Sequence, residues 1–436
     1  MIALSLPNLL LAASLAFPAT SASPPLTLDE PYEADIEFLL DQFEDKAGQL
    51  FRIKDIDWKK VRKEFTKAAK DIETDQDHVV LVSRLLARLE DGHAGFYGDF
   101  NVDMKGHGDG PISGCGLSLY EYGGKWYVRR ASGAAEQSGI LPGWEVKKIE
   151  KQDPKKWMEA AYERLIDRES FSTEHAARWS CGTWGLVGPE GKGASFEFRT
   201  DKKKKKKITL SWDESSRLHG PVFMPDGLEM VGRDVGWAKL PSGHGYMWVG
   251  RVPGEIPELV DQAIEGFGAD APGLILDFRS CLGGGCDSDA LLGRFVPEGK
   301  TFAKHSSAGP MPFTRHVVIL VDPNTISAGE TIVGEMKEEG RAYLIGPGPT
   351  HGASGSKEVV EVPSKLFSVR FVVRSHKSWI NGGRGIEGIG VAPDEVVEYD
   401  PEMLVEGVDP AIARAIEILE KGPPKKAVSY VPPKTQ

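Results

Sequence analysis

The residue of this chain with the clearest chemical potential is a serine that follows a buried strand. The apolar run at residues 316–322 predicts that strand, Pro323-Asn324 ends it, and a predicted helix begins at Ser327. Because N–H groups are free at the start of a helix, they can stabilise a developing oxyanion there. A nucleophile would be useful at this position, although serines at such turns more often serve as helix caps.

Three other segments carry groups that could assist this serine. Asp91-Gly92-His93 follows a helix predicted at about residues 78–89, and a neutral histidine can take the proton of an attacking hydroxyl. The glycines at 283–285 follow a predicted strand at 273–278 and could offer a second N–H to an oxyanion. Glu387 lies in the glycine-containing segment 385–394.

The elements that would position these groups fall into three predicted regions. Helical spacing predicts helices within residues 29–89, short strands with glycine turns predict a β-rich module at about 110–212, and strand and helix patterns alternate from 236 to 399. The repeated strand–turn–helix units predict an α/β core with parallel pairing. A last helix near 410–419 precedes a Pro/Lys tail that is predicted to be disordered.

Composition excludes several classes of function. The 436-residue chain has a formal net charge of −11, which argues against general nucleic-acid binding. The lysine run 202–207 is predicted to decorate a solvated hairpin, with an anionic contact as the alternative. No Cys-x-x-Cys pair and no His-Glu-x-x-His helix occurs, so no metal and no cofactor are predicted. Cys281 and Cys286 share one loop and could form a disulfide, which their spacing does not decide.

The N-terminus is predicted to be an export signal. Residues 2–17 form an apolar segment that is too short, and too interrupted by proline, for a good membrane span. Small residues follow at 19–23 and favour cleavage near Ala22. We therefore expect a periplasmic or extracellular protein, with retention of the segment as a membrane anchor as the alternative.

Four segments, taken in their order along the chain, carry a resemblance to a known family. They are residues 91–93, 276–285, 325–330 and 385–394, with the β-rich module between the first and the second. This combination resembles the tail-specific (C-terminal processing) proteases and the tricorn protease core over nearly the whole chain. The resemblance implies a serine endopeptidase that cleaves unfolded or tail-presented proteins. It divides the chain into a signal peptide (1–22), a helical N-terminal region (23–109), a PDZ-like domain (110–212), a crotonase-like α/β protease core (213–405) and a C-terminal helix with a disordered tail (406–436).

The PDZ-like domain would bind the exposed C-terminal tail of a protein or peptide substrate. Gly114, Cys115, Gly116 and Leu117 stand where the family has its carboxylate-binding loop. An extended tail can add to a strand edge while loop N–H groups take its carboxylate. A small β domain without a ligand is the alternative.

The family contains two catalytic arrangements, and the sequence discriminates between them. Bacterial processing proteases take a lysine base from a segment that reads Thr350-His-Gly-Ala353 here, so alanine stands in place of the lysine, and Lys357 is displaced by four positions. Tricorn-like members use a histidine and a glutamate, which His93 and Glu387 match. In that branch a serine precedes the histidine, whereas this chain has Gly92.

The resemblance implies a role for each residue. Ser327 would be the nucleophile, His93 the base, and Glu387 the group that holds the charged ring directly or through a water. The N–H groups of Ala328 and Gly284 would bind the oxyanion. With a histidine base, the rate is expected to fall as the pH drops through about 6.5.

Each role has an alternative. His351 is the rival base, and His93 could be a turn residue after its helix. Glu387 could be an ion-pair partner of Arg384 or Arg279, and Arg279 is expected to brace the glycine loop. A catalytically inactive protease-like protein that binds peptides in its groove, and a hydrolase of small esters, are the competing functions.

Overall fold

The computed structural model describes residues 31–100, 112–214, 220–302, 305–376 and 379–423. The predicted export signal and the part of the predicted tail beyond residue 423 lie outside these residues. Within them, none of the helices combines the length and the apolar character that crossing a membrane requires.

The N-terminal part of the described chain is helical, as predicted. Asp57 and Thr74 cap the second and third helices by accepting hydrogen bonds from the N–H groups of Lys60 and Asp77, which satisfies donors at the helix starts. The elements are α1 (Pro31–Ile53), α2 (Trp58–Ala68), a 3-10 turn (Ala69–Asp71), α3 (Asp75–Ala87) and strand β1 (Gly95–Phe100).

A β-rich module follows, in which a five-stranded sheet packs against two helices. Its elements are β2 (Ile112–Gly114), β3 (Leu117–Tyr122), β4 (Lys125–Ala131), α4 (Gly133–Gln137), β5 (Glu145–Ile149), α5 (Pro154–Arg168), α6 (Glu174–Trp184), β6 (Val187–Pro189), β7 (Gly193–Arg199) and β8 (Lys205–Ser211). The sheet has the antiparallel order β3-β4-β5-β7-β8, so β3 and β8 are its edges. Lysines 202–207 are exposed at the β7–β8 hairpin, as the sequence predicts.

The remaining elements form the α/β core and its extensions. They are β9 (Glu229–Met230), β10 (Val235–Lys239), β11 (Gly245–Val249), α7 (Ile256–Phe267), β12 (Gly273–Asp277), α8 (Ser288–Gly293), β13 (Thr301–Phe302), β14 (His305–Ser306), β15 (His316–Leu320), α9 (Ala328–Glu338), β16 (Ala342–Gly346), β17 (Gly355–Glu361), β18 (Phe367–Ser375), α10 (Ile380–Gly383), β19 (Glu395–Val396), α11 (Pro401–Val405) and α12 (Pro410–Lys421). The main sheet has the order β19-β16-β15-β12-β11-β10-β9, parallel from β19 to β11 and antiparallel beyond. The predicted mixed α/β fold with several sheets is confirmed.

Adjacent parallel strands bring two predicted site segments together. Strands β12 and β15 are neighbours, and both are buried and apolar, which explains why their sequences read as strands. Since the carboxyl ends of parallel strands meet at one edge of the sheet, the glycine loop after β12 lies beside the turn that follows β15. That turn carries Ser327.

A second, three-stranded sheet joins the N-terminal helices to the core. Its order is β1-β18-β17, so one strand comes from the N-terminal region and two come from far along the chain. Fully buried Phe43 and Phe65 of the helices share one hydrophobic cluster with Val369 and Phe371 of β18. This packing brings the loop between α3 and β1, which holds His93, to the core.

Arg279 is a buried structural residue that joins the end of β12 to the start of α12, whereas its predicted support of the glycine loop stays a prediction. Its side chain is fully buried, with Nη2 2.6 Å from Asp277 Oδ2 and Nη1 2.8 Å from Asp409 Oδ2. Arg279→Met would leave both carboxylates buried without their cation, so the free energy of unfolding should fall by about 3–5 kcal/mol. Urea unfolding followed by circular dichroism measures this change.

A matched arginine provides the control for that prediction. Arg62 also pairs with two carboxylates, Asp41 and Glu44, but in a solvent-exposed position. Arg62→Met should therefore change the free energy of unfolding by no more than about 1 kcal/mol. Equal losses in the two variants would contradict the structural role of the buried Arg279 ion pairs.

Candidate active site

Ser327 occupies a strained turn at the start of α9. Its backbone has φ 63° and ψ −124°, which a residue with a Cβ rarely adopts. A sharp strand-to-helix turn of this kind exposes the side chain of a nucleophilic serine, and such strain concentrates at functional sites. The N–H of Ser327 donates to the carbonyl of Ala353 at 3.0 Å and to Glu330 Oε2 at 3.1 Å, which fixes the turn.

Glu330 organises the loop that faces the serine. Its buried carboxylate also accepts hydrogen bonds from Thr350 Oγ1 at 2.6 Å, from the N–H of Gly352 at 2.6 Å and from the N–H of Ala353 at 2.8 Å. Burial raises the pKa of Glu330 to about 8, against these hydrogen bonds. Glu330 was not among the predicted site residues, and its only signal in the sequence is its position three residues after Ser327.

The glycine loop and the start of α9 offer two donors for an oxyanion. A Cβ added at Gly283 would lie 2.6 Å from Ser327 Cβ, so the loop touches the serine and only glycine fits there. The N–H of Gly283 donates to the Cys281 sulfur, and that of Gly285 donates to the Val252 carbonyl at 2.9 Å. The N–H groups of Gly284 and Ala328 form no hydrogen bond within the described residues. Of the three loop glycines, Gly284 is therefore the one with a free donor.

His93 is buried and held by its backbone. Its N–H donates to Asp91 Oδ1 at 2.8 Å, and its carbonyl accepts from Arg370 Nε at 3.2 Å. Nδ1 of the ring has no hydrogen-bond partner in the described part of the chain. Burial, together with the nearby cations Lys357 and Arg370, holds the pKa of His93 well below its usual value. The ring is therefore neutral near pH 7, as a base must be.

The loop before His93 reaches the serine turn through one intermediate residue. A Cβ on Gly92 would lie 3.0 Å from Ala353 Cβ, and the Ala353 carbonyl binds the N–H of Ser327. The structure thus places Gly92, Ala353 and Ser327 in one contiguous cluster, although His93 and Ser327 are more than two hundred residues apart in sequence.

Glu387 lies beside His93 in the same cluster. One ring nitrogen of His93 and one carboxylate oxygen each of Asp91 and Glu387 all lie within 4.8 Å of one another. The ion-pair partner of Glu387 is Lys54, with Nζ 2.8 Å from Oε1, and not Arg279 or Arg384. Burial raises the pKa of Glu387, whereas Lys54 opposes this rise.

The same three groups are close enough to hold a metal ion, but their oxygens already accept hydrogen bonds. Asp91 accepts from the N–H groups of His93 and Val372, and Glu387 accepts from Lys54, Ser172 Oγ and the N–H of Ser354. Lys54 already supplies a positive charge here. The donor set therefore fits a hydrogen-bonded carboxylate beside a neutral base better than a cation site.

The two rival bases are also near this cluster. His351 is buried, its Nδ1 lies 3.2 Å from the Pro323 carbonyl, and its Nε2 lies 2.6 Å from where a Cβ on Gly92 would be. Burial lowers the pKa of His351 to about 4. Lys357 lies in β17, and partial burial of its ammonium group together with the nearby Arg370 lowers its pKa. Ala353, in the place of the family's lysine, is fully buried.

The predicted carboxylate-binding loop is largely committed to internal contacts. The N–H of Gly114 donates to the Glu214 carbonyl at 2.8 Å, and the N–H groups of Cys115 and Leu117 face the Cys115 sulfur. Cys115 and Leu117 are buried. The N–H of Gly116 forms no hydrogen bond within the described residues, so binding of a tail at this loop stays a prediction that depends on Gly116.

An apolar cavity of about 260 Å³ lies beside the edge strand β3. Its walls come from β3, β4, α5, α6 and core segments that include Pro323 and Tyr399, and six of the lining residues are aromatic. The aromatic residues are Tyr120, Tyr122, Trp126, Tyr162, Trp179 and Tyr399.

All four cysteines are free, so Cys281 and Cys286 are not bridged in this structure.

Comparison with known proteins supports one family. Residues 244–397 match the model of peptidase family S41, and this segment contains the glycine loop, Ser327 and Glu387. No curated protein sequence matches the chain. His93 and the β-rich module lie outside the matched segment.

Solved structures share the fold at low sequence identity. Mature CPAF complexed with lactacystin has a TM-score of 0.64 at 12% identity, and the alignment covers 90% of this chain and 98% of that one. Mature CPAF alone has a TM-score of 0.63 at 11% identity, and the alignment covers 90% of this chain and 96% of that one. A candidate peptidase from Parabacteroides merdae has a TM-score of 0.50 at 17% identity, and the alignment covers 89% of this chain and 96% of that one. The family match and the shared fold confirm the resemblance to the tail-specific serine proteases of peptidase family S41 that the sequence motifs indicated.

Proposed function

We propose that the chain is an exported serine endopeptidase in which Ser327, His93 and Glu387 act together on unfolded or tail-presented proteins. Neutral His93 takes the proton of Ser327 as that oxygen attacks a peptide carbonyl, because a free serine hydroxyl is too weak an acid to ionise alone. The imidazolium then protonates the leaving amine, and water repeats the cycle on the acyl-enzyme. Glu387 stabilises the charged ring, directly or through a water.

One observation carries this proposal. The glycine loop contacts Ser327 at a Cβ separation that only glycine allows, and the N–H groups of Gly284 and Ala328 beside it form no hydrogen bond within the described residues. Ser327 is also the N-cap of α9, but a cap alone needs neither a strained φ of 63° nor a loop with free N–H donors against its Cβ. Losing one such donor typically raises the barrier by about 2.7–4 kcal/mol.

The β-rich module serves, in this proposal, as a PDZ-like domain on a crotonase-like core. The tail of the substrate occupies the aromatic cavity beside β3, which is an edge strand of its sheet within the described residues. Core residues Pro323 and Tyr399 also line this cavity, and Pro323 is four residues before Ser327. A tail bound there would lie next to the serine turn.

Covalent labelling tests the proposed nucleophile without knowledge of the natural substrate. A fluorophosphonate probe reacts with an activated serine, so it should modify Ser327 specifically, as located by peptide mass spectrometry. The same protein should cleave an unfolded test protein, and labelling should stop this cleavage.

The competing functions give different results in the same assay. An inactive peptide-binding protein would leave the probe unreacted and would hold a peptide without cutting it. A hydrolase of small esters would be labelled at Ser327 and turn over an ester, but would leave the unfolded protein intact. Either result would overturn the endopeptidase assignment.

A further inference from the structure

Ser172 brings a hydroxyl to the place beside His93 where the local sequence has none. The residue before His93 is Gly92, which has no side chain. Ser172 Oγ accepts a hydrogen bond from the N–H of Gly92 at 2.8 Å and donates to Glu387 Oε1 at 3.0 Å. Ser172 is buried, in the connection between α5 and α6. A single hydroxyl thus links the histidine loop to the carboxylate.

The space next to Gly92 explains why this hydroxyl comes from elsewhere in the chain. A Cβ added at Gly92 would lie 2.6 Å from His351 Nε2 and 2.8 Å from His351 Cδ2. The buried His351 ring therefore fills the volume that a serine side chain would need at position 92. Ser172, which comes from another part of the chain, supplies the hydroxyl that hydrogen-bonds to Glu387.

Lys54 supplies the charge that a buried carboxylate needs. Its Nζ donates to Glu387 Oε1 at 2.8 Å and to the Glu90 carbonyl at 2.5 Å, and the two side chains of the ion pair are 2% and 0% exposed. An isolated carboxylate buried to this extent would take up a proton instead of ionising. A protonated Glu387 would no longer stabilise an imidazolium at His93.

We propose that Ser172 and Lys54 are positioning residues that keep the Glu387 carboxylate ionised and directed at His93. This inference rests on the proposed function, because it gives both residues a part in the reaction at Ser327. They act through Glu387, and within the described residues neither forms a hydrogen bond with Ser327. Each removes part of the free-energy cost of a buried anion, Lys54 by its charge and Ser172 by its hydrogen bond.

The pH profile of the reaction reports on this network. Other charged and titratable groups also act on Glu387 and His93, namely Asp91, His351, Lys357, Arg370 and His376. Hydrogen bonds and cations lower the pKa of a carboxylate, so removal of Ser172 Oγ or of Lys54 raises the pKa of Glu387. Activity requires the ionised Glu387 carboxylate as well as neutral His93, so a higher pKa of Glu387 should move the fall of kcat at acid pH to higher pH.

Ser170 offers a matched control for Ser172. Its Oγ accepts a hydrogen bond from the N–H of Asp91 at 2.9 Å, whereas Ser172 accepts one from the N–H of the next residue, Gly92. Among the described residues, Ser170 has no hydrogen bond to Glu387. Ser172→Ala should lower kcat about 10-fold or more, leave KM unchanged and move the acid limb up. Ser170→Ala should leave kcat and the acid limb unchanged, and Ser172→Thr should restore both.

Lys54 is tested with a second matched pair. Lys54→Met should lower kcat more than Ser172→Ala does and should also move the acid limb to higher pH. Lys46→Met removes the same charge from α1, the helix that ends one residue before Lys54, but Lys46 pairs with Glu358 at the surface, so the profile should not change. If Lys54→Met fails to fold, the Ser172 pair decides the matter.

The outcomes separate this inference from the proposed function. A parent protein that is labelled at Ser327 and active, with equal kcat values and acid limbs for Ser172→Ala and Ser170→Ala, would overturn the inference alone. A parent protein with neither labelling nor cleavage would overturn the proposed function and the inference with it. A loss confined to Ser172→Ala, with rescue by threonine, supports both.

Discussion

Ser327→Ala should abolish cleavage of an unfolded protein, with a loss in kcat on the order of 10⁶-fold. Alanine keeps the Cβ and the backbone N–H, so the hydrogen bonds of the turn to Ala353 and Glu330 remain possible. The far-UV circular dichroism spectrum should therefore not change. Activity assays with an unfolded protein and with an ester measure the loss.

A glycine at the same position separates catalysis from stability. Because φ is 63° at Ser327, Ser327→Gly should relieve strain and raise the free energy of unfolding by about 1 kcal/mol while it also abolishes activity. Ser211→Ala, in the exposed part of β8, controls for the substitution itself. Near-parent activity in Ser327→Ala would remove the nucleophile from the mechanism.

The sequence predicted the core well because its signals are local. The apolar runs of β12 and β15 and the helix after Ser327 each depend on neighbours in sequence, and the structure confirms all three. Helix α6 (Glu174–Trp184) was missed, although Thr173 caps it, because its sequence contains Ser, Cys and Gly in place of a clear apolar stripe. The β1-β18-β17 sheet was missed because its strands come from both ends of the chain.

The residues of the candidate site also divide into those with a local sequence signal and those without one. Motif order identified Ser327, His93, Glu387 and the glycine loop, since each stands in a short segment that resembles the family. No local pattern could identify Lys54 or Ser172 as partners of Glu387, because 333 and 215 residues separate these pairs. A single lysine after a helix and a single serine between helices occur in many proteins, and only the folded chain shows what they contact.

His93→Ala should lower kcat by about 10⁴-fold or more, because the serine would lose the group that accepts its proton. Lys357→Ala should retain turnover, which distinguishes the histidine base from the lysine base of the bacterial processing proteases. His351→Ala is the second comparison variant, because His351 is the rival histidine base and its Nδ1 already faces the Pro323 carbonyl. Turnover that survives His93→Ala and disappears in Lys357→Ala would reverse the assignment.

The pH dependence sharpens this test, and it corrects the expectation of a fall through about 6.5 that an unperturbed histidine gives. Burial and the cations Lys357 and Arg370 lower the pKa of His93, so the neutral base persists at lower pH and the acid limb should lie below 6.5. A cation near an imidazole disfavours its charged form, so Lys357→Ala should raise the pKa of His93 and move the acid limb to higher pH without abolishing turnover. Lys46→Met, at the surface of α1, should leave the limb in place. An unchanged limb in Lys357→Ala would mean that the group titrating in the reaction is not His93.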